Sequence, residues 1–241
     1  MILLTIYINK KMSNITTTEK LKNIASKLKE SFDLTYGKES NVVFMKEWCF
    51  IKSNLLPAVL DKFDTSEIVR VIFNAINIGL TFNKDANEIY LMPRAGALVT
   101  VITANGYRKL FKKACPNFLG YVFKIICEND KFEYDSEKFW KLKSFLKSEK
   151  ESSPKFFYLE LLDVNGNAII AHTMTYKDIY KRRAVATTQA IWAKWEDEMA
   201  LKTVAKFVLS KLVVIDTSNK DILNFINQNS ETLETDFEEV K

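Results

Sequence analysis

Apolar positions along the chain follow two rhythms, one of three to four residues and one of two, and the switches between them mark out the elements. Leu21, Ile24, Ala25 and Leu28 form a helical stripe among lysines, with Thr17 or Thr18 placed to cap it. Residues 35–42, with Gly37, read as a linker. A helix from Phe44 to about Ile51 and a turn around Asn54 and Pro57 follow. In the next helix Thr65 or Ser66 is the expected cap, Ile68, Ile72, Ala75 and Ile76 face the core, and Gly79 supplies a left-handed stop.

The rhythm then shortens. Glu88 to Met92 and Ala97 to Thr103 read as a hairpin turning through Pro93-Arg94-Ala95-Gly96. Gly106 to Ala114 is helical and Tyr121 to Glu128 is a strand. Phe139 to Pro154, crowded with Lys, Ser and Glu, reads as an exposed helix or loop. Phe156 to Asp163 and Asn167 to Thr173 flank Asn165-Gly166, a strong hairpin signal. Thr175 with Asp178 resembles a capping box opening a short helix through Arg183, and Ala190 to Leu212 reads as one long helix. The predicted class is α+β: a small antiparallel sheet with hairpins crossed by helices, a long C-terminal helix and an acidic tail. Residues 1–43 read as an N-terminal extension and surface helix, 44–214 as a core, and 215–241 as a C-terminal helix or acidic tail. No internal repeat is visible.

Composition supports an ordered chain: among 241 residues there are only six glycines and four prolines. The net charge of +5 is modest, so binding of a polyanion depends on where the cations sit. Cys49, Cys115 and Cys127 share no close spacing and read as reduced, buried core sulfur. His172, the only histidine, excludes a multi-histidine metal site and reads as structural at a strand end. No apolar stretch is long enough to span a membrane. Ile2 to Ile8 lacks the basic lead of a secretory signal, since Lys10 and Lys11 follow it, and Met12 is the expected start, the first eleven residues having no role in the fold.

Neither a G-x-x-x-x-G-K-[ST] loop nor a G-x-G-x-x-G after a strand occurs, so apparatus for ATP hydrolysis or dinucleotide binding is not visible. The informative positive feature is Gly106 to Ala114. Tyr107, Leu110, Phe111 and Ala114 stack on one side of a helix, and Arg108, Lys109, Lys112 and Lys113 form a cationic face on the other. No acidic residue lies between Gly106 and Lys124 to neutralise that face locally. A second cluster, Lys177, Lys181, Arg182 and Arg183, precedes Thr187 and Thr188, whose hydroxyls suit phosphate. Lys194, Lys202, Lys206 and Lys211 lie on the long helix, with Glu198 four residues from both Lys194 and Lys202. Trp192, Trp195 and Met199 fall on one face of it, as core, subunit interface or base-stacking platforms. Glu128, Asp130, Glu133 and Asp135 have the residue types of a Mg²⁺ site, although their context reads as a solvated loop.

Several segments together resemble the RecT family of phage single-strand annealing proteins. They are Gly79-Leu80, Ile89-Tyr90-Leu91-Met92-Pro93, Gly106-Tyr107-Arg108-Lys109-Leu110, Glu128-Asn129-Asp130-Lys131-Phe132-Glu133-Tyr134, Trp192, and Glu198-Met199-Ala200-Leu201-Lys202-Thr203-Val204. Order and spacing fit from about Phe44 to Leu212. The chain departs from the family pattern at Arg94-Ala95-Gly96, at Lys109 where Gly is common, and at Trp195-Glu196. The resemblance implies a recombination mediator that binds single-stranded DNA, assembles into rings or helical filaments, and anneals complementary strands without ATP. It implies a small sheet crossed by helices with DNA in a narrow basic groove.

With the basic clusters, the candidate DNA-binding residues are Arg94, Tyr107, Arg108, Lys109, Lys112, Lys181, Arg182, Arg183, Trp192, Lys194, Lys202 and Lys206. No cofactor is required on this reading, and Mg²⁺ enters only with the DNA. The expected partners are single-stranded DNA, the annealed duplex, further copies of the chain, an exonuclease and a single-strand-binding protein, in the cytoplasm of a bacterial host and at the nucleoid when active. The competing readings are a passive single-stranded nucleic-acid-binding module and a Mg²⁺-dependent nuclease.

The C-terminal segment sets five carboxylates, Glu231, Glu234, Asp236, Glu238 and Glu239, against Lys241. It reads as a solubilising tail or, held at high effective concentration by its tether, as a segment that competes with DNA for the basic groove or docks on a partner nuclease or single-strand-binding protein. Truncation after Asn229 is expected to raise single-strand affinity at low salt, measured by fluorescence anisotropy, and the gain fades at high salt as both contacts are screened. Equal affinities at low salt would leave the tail a solubilising or partner-binding role.

Overall fold

The computed structural model describes residues 2–94, 96–135, 141–186, 189–215 and 219–228. They form two compact units that divide between Ile102 and Thr103, inside the stretch read from sequence as one core.

The first unit is a helical layer with one hairpin. Helix α1 (Ile2–Tyr36) runs for 35 residues without interruption. Neither Thr17 nor Thr18 therefore begins a helix, and Met12 marks no break, because no Gly or Pro interrupts the backbone ladder. Ile24, Leu28 and Phe32 are fully buried, one turn apart, in the layer α1 forms with α2 (Ser40–Asn54), α3 (Pro57–Lys62) and α4 (Thr65–Asn77). The expected linker contracts to a 3-10 turn, Gly37–Glu39, entered at positive φ by Gly37. Helix α4 is capped by Asp64, one residue before the expected position: its carboxylate accepts the Glu67 N–H at 2.8 Å and leaves Thr65 inside the helix.

Strands β1 (Ile89–Arg94) and β2 (Ala97–Ile102) pair antiparallel down to Arg94 opposite Ala97. The turn is thus tighter than the four residues read from sequence, with Pro93 and Arg94 in the strand and Gly96 at φ +84°. A two-stranded sheet has only edges, so Pro93 costs it little. The Leu98 N–H donates to Glu67 Oε1 at 2.9 Å, which joins the hairpin to α4.

The second unit is layered around a three-stranded antiparallel sheet ordered β3 (Phe118–Cys127), β6 (Pro154–Asp163), β7 (Ala168–Thr175). Alternation along β6 sends Phe157, Leu159 and Leu161 to one face and Phe156, Tyr158 and Glu160 to the other. The first face is covered by α6 (Tyr176–Ala184) and α8 (Glu196–Ile215); α5 (Ala104–Ala114) and α9 (Lys220–Gln228) pack on α8, and α7 (Gln189–Lys194) joins α6 to it. The second face is covered by the hairpin β4 (Lys131–Asp135) and β5 (Lys141–Leu146). There Ile126, Leu142, Tyr158 and Ala171 form a cluster with Phe132, Tyr134, Phe145 and Phe156 packed against it.

Within the stretch 139–154, read as an exposed helix or loop, residues 141–146 form strand β5, while 147–153 are loop as read. Leu142 and Phe145 turn to the core cluster while Lys143 and Ser144 between them are exposed, so these polar positions mark the outer side of a strand rather than an unstructured run. The long helix read over 190–212 divides at Trp195, although Trp195 N–H still bonds the Ile191 carbonyl and Met199 N–H the Trp195 carbonyl. The Asn165-Gly166 turn is held by Asp163, whose carboxylate accepts the N–H groups of Asn165 and Asn167, each at 2.8 Å. The cysteines are not buried core sulfur: Cys49 is exposed, and Cys115 and Cys127 are half-buried at element ends. His172 lies within β7 opposite Leu159 rather than at a strand end.

The hairpin layer is fixed to the sheet by one buried phenol. Tyr158 is fully buried; its oxygen accepts the Leu142 N–H at 3.1 Å and its hydroxyl donates to Glu160 Oε2 at 2.9 Å. Lys141 Nζ stands 3.6 Å from the other oxygen of Glu160. Burial, more than any neighbour, raises the phenol above its usual range. Tyr158→Phe keeps the ring but leaves two buried polar groups unpaired, and is expected to cost about 1–3 kcal/mol in urea unfolding. Unchanged stability would show that the hydroxyl does not hold the layer.

Candidate nucleic-acid interface

Helix α5 begins at Thr103, whose hydroxyl accepts the Gly106 N–H at 3.3 Å. That cap fixes the phase of the helix, so Tyr107, Leu110 and Phe111 are buried while Arg108, Lys109, Lys112 and Lys113 are exposed. The four cations differ in what they do. Lys112 Nζ donates to the carbonyls of Pro116 and Phe118 at 2.7 and 3.0 Å, closing the C-terminal end of α5 onto the start of β3. The Lys113 ammonium is pushed down by burial and drawn back up by Asp221 of α9, a long-range acidic neighbour invisible in the local sequence. Arg108 and Lys109 point outward from the middle of the helix.

The capping box on α6 forms as read: Thr175 Oγ1 accepts the Asp178 N–H at 3.1 Å and donates to Asp178 Oδ2 at 2.6 Å. It orients Lys177, Lys181 and Arg182 toward solvent. Arg182 donates to the Asp178 carbonyl at 3.2 Å and keeps most of its guanidinium free for other acceptors. Arg183 instead pairs with Glu196 at 2.8 Å, linking α6 to the first turn of α8, so its charge is largely met within the protein. Thr187 and Thr188 lie outside the described residues.

Burial separates the aromatic candidates. Tyr107 is 8% exposed and Trp192 only 3%, so neither ring offers a face to a base: Tyr107 packs on the apolar side of α5, and Trp192 takes the core role that was one of its readings from sequence. Tyr107, Phe111 and Tyr121 share with Leu201, Lys202 and Ala205 a seam between α5, β3 and α8 with no room for a nucleobase. Tyr107 and Lys202, drawn from separate motifs, thus meet in one place. Burial lowers the Lys202 ammonium and Glu198 opposes that shift. Lys206 is half-buried on the same helix, and Lys194 is exposed with its ammonium 5.2 Å from the centre of the Trp195 ring.

Among the described residues of the second unit the exposed rings are Trp195, at 49% exposure, and Tyr180, at 55%; Tyr180 stacks on Tyr176 one turn earlier, with centroids 6.2 Å apart. The order Tyr176, Lys177, Tyr180, Lys181 interleaves rings with cations on α6, a signal present in the sequence and missed there. Arg94 belongs to the first unit, partly exposed at the last paired position of β1.

The carboxylates do not assemble a metal centre. Asp130 accepts the N–H groups of Cys127 and Ser148 at 2.7 and 2.8 Å, which lowers its pKa and braces the turn between β3 and β4. Among the described residues no three His, Cys, Asp or Glu side chains come together.

Comparison with models of protein families matches the RecT family over residues 46–233 of the 241-residue chain. The chain belongs to the RecT family. Membership implies single-strand annealing in phage recombination, in keeping with an α+β unit that displays exposed cations. Among curated proteins no match is found. No helix among the described residues is long and apolar enough to cross a membrane.

The unequal duties of the α5 cations predict separable effects. Arg108→Ala is expected to weaken single-strand binding several-fold with thermal stability unchanged. Lys112→Ala removes two hydrogen bonds to carbonyls and is expected to cost about 1 kcal/mol. Calorimetry beside anisotropy reads both, and equal losses of stability in the two variants would make Arg108 structural as well.

Proposed function

We propose that this protein binds single-stranded DNA as an oligomer and speeds the pairing of complementary strands without nucleotide hydrolysis, in the cytoplasm of a bacterial host. The observation that carries the reading is the set of exposed cations on two capped helices of one compact unit: Arg108 and Lys109 on α5, and Lys177, Lys181 and Arg182 on α6. Phosphate contacts carry no base information, so strands of any sequence are held with their pairing edges open. Annealing is downhill by about 1.4 kcal/mol per base-pair step, so no fuel is needed. The barrier is mutual repulsion and intrastrand folding, which neutralisation and extension of the strand both lower. Magnesium takes part as a counterion of the DNA, and an exonuclease that exposes single strands is the partner this chemistry calls for.

With about five phosphate contacts per protomer, log affinity for an oligothymidylate is expected to fall against log salt with a slope near −3.5. Pairing of two complementary oligonucleotides, followed by fluorescence quenching without ATP, is expected to accelerate in the same salt range. Tight binding with no acceleration would reduce the protein to a passive coat, and a flat salt dependence would remove the cationic surface from the reading.

A further inference from the structure

We infer that His172, Arg182 and Lys211 form a phosphate site for the backbone of a single strand, where β7, α6 and α8 meet. It rests on the single-strand-binding reading above and adds to it two residues, His172 and Lys211, that were not among the candidate DNA-binding residues.

The imidazole of His172 stacks on Phe207 of α8 with centroids 4.3 Å apart. Lys211, one turn further along α8, holds its ammonium 5.2 Å from the centre of the same Phe207 ring. From the side of α6, Arg182 Nη1 lies 3.6 Å from the sulfur of Met174, which shares His172's face of β7 two residues on. His172 and Lys211 thus meet at one aromatic ring, and Arg182 lies on the thioether next to His172 on the same face of β7. No described group hydrogen-bonds the ring nitrogens of His172. The charged groups facing it are Asp178 and Arg182 on α6 and Lys211 on α8, while its β6 neighbour, Leu159, is apolar. The one acid among them, Asp178, has an oxygen committed to the Thr175 hydroxyl in the capping box.

Such a cluster favours an anion. Burial first, then Lys211 and Arg182, hold the imidazole below its ordinary range, with Asp178 acting weakly the other way. The free protein therefore carries a neutral His172 at neutral pH. A phosphodiester seated between Arg182 and Lys211 offsets their repulsion, so the imidazole takes up a proton as the strand binds and becomes a third donor. By linkage, binding tightens as pH falls.

His172 is the only histidine in the chain, so its imidazole signals can be followed by NMR in the full-length protein without ambiguity. The proton titration is run on free protein, with saturating oligothymidylate and with inorganic phosphate, beside anisotropy measurements of oligothymidylate affinity. The midpoint is expected to rise with oligothymidylate, and affinity to increase about threefold from about pH 8 to about pH 6. His172→Gln is expected to lose that pH dependence while retaining binding through the other cations. Arg182→Gln with Lys211→Gln, at two exposed positions, is expected to raise the midpoint of the free protein and to abolish its response to the strand. A midpoint unmoved while the oligonucleotide binds would overturn the site and leave the binding function standing. No binding of the oligonucleotide by anisotropy would overturn both. A response to inorganic phosphate but not to the oligonucleotide would make this a small-anion site and overturn the assignment to a strand.

Discussion

Strand β6 must be buried on both faces, and the second unit is arranged to meet that requirement. Its position between β3 and β7 leaves both neighbours antiparallel and both faces in need of cover. The face of Phe157, Leu159 and Leu161 takes the helices; the face of Tyr158 and Glu160 takes the β4–β5 hairpin. A central strand carrying a carboxylate and a phenol would be destabilising if either were left unpaired. Here each satisfies the other, and the phenol oxygen also takes an N–H from the covering hairpin. The polar pair thereby fixes where the hairpin can sit, something apolar packing alone does loosely.

With the sheet covered, the helices can carry charge on their outer sides, and the cations divide into those spent inside the protein and those left outside. Lys112 closes a helix end, Arg183 joins two helices through Glu196, and Lys113 has Asp221 near it. Of these contacts the Arg183–Glu196 pair ties α6 to α8, and Lys112 ties the end of α5 to the start of β3. Arg108, Lys181 and the outer part of Arg182 then project from a framework already neutralised at its joints. A polyanion meets donors whose positions are set in advance, so less conformational entropy is lost on binding.

Much of this was legible in sequence wherever the signal was local. The capping box at Thr175 and Asp178, the helix phase of Tyr107, Leu110 and Phe111, the hairpin at Asn165-Gly166 and the α+β class all rest on residues within one turn of each other. What escaped depends on distant partners. Nothing near Arg183 announces Glu196, nothing near Lys113 announces Asp221, and Leu142 shows itself as core only against Tyr158 and Ala171. Trp192 and Trp195 read as one stripe because a continuous helix was assumed; the division at Trp195 sends one ring inward at 3% exposure and the other outward at 49%. Helical periodicity identifies which residues share a face while the helix lasts, and says nothing about where it stops.

An annealing protein faces a constraint that a simple binder does not: it must hold each strand firmly enough to extend it and loosely enough to yield it to pairing. A deep pocket for a base would fail the second condition, since the base would have to leave before it could pair. The seam at Tyr107, Tyr121 and Lys202 is closed to bases, and the accessible rings Tyr180 and Trp195 lie on the surface beside lysines. Surface stacking of this kind contributes about 1–3 kcal/mol per base and is open to competition from a base-pair partner. Individually weak phosphate and stacking contacts can add up along a strand while each base stays open to a pairing partner. The shallow, divided placement of cations and rings on α5, α6 and the α7–α8 junction therefore suits strand annealing better than any enclosed site would.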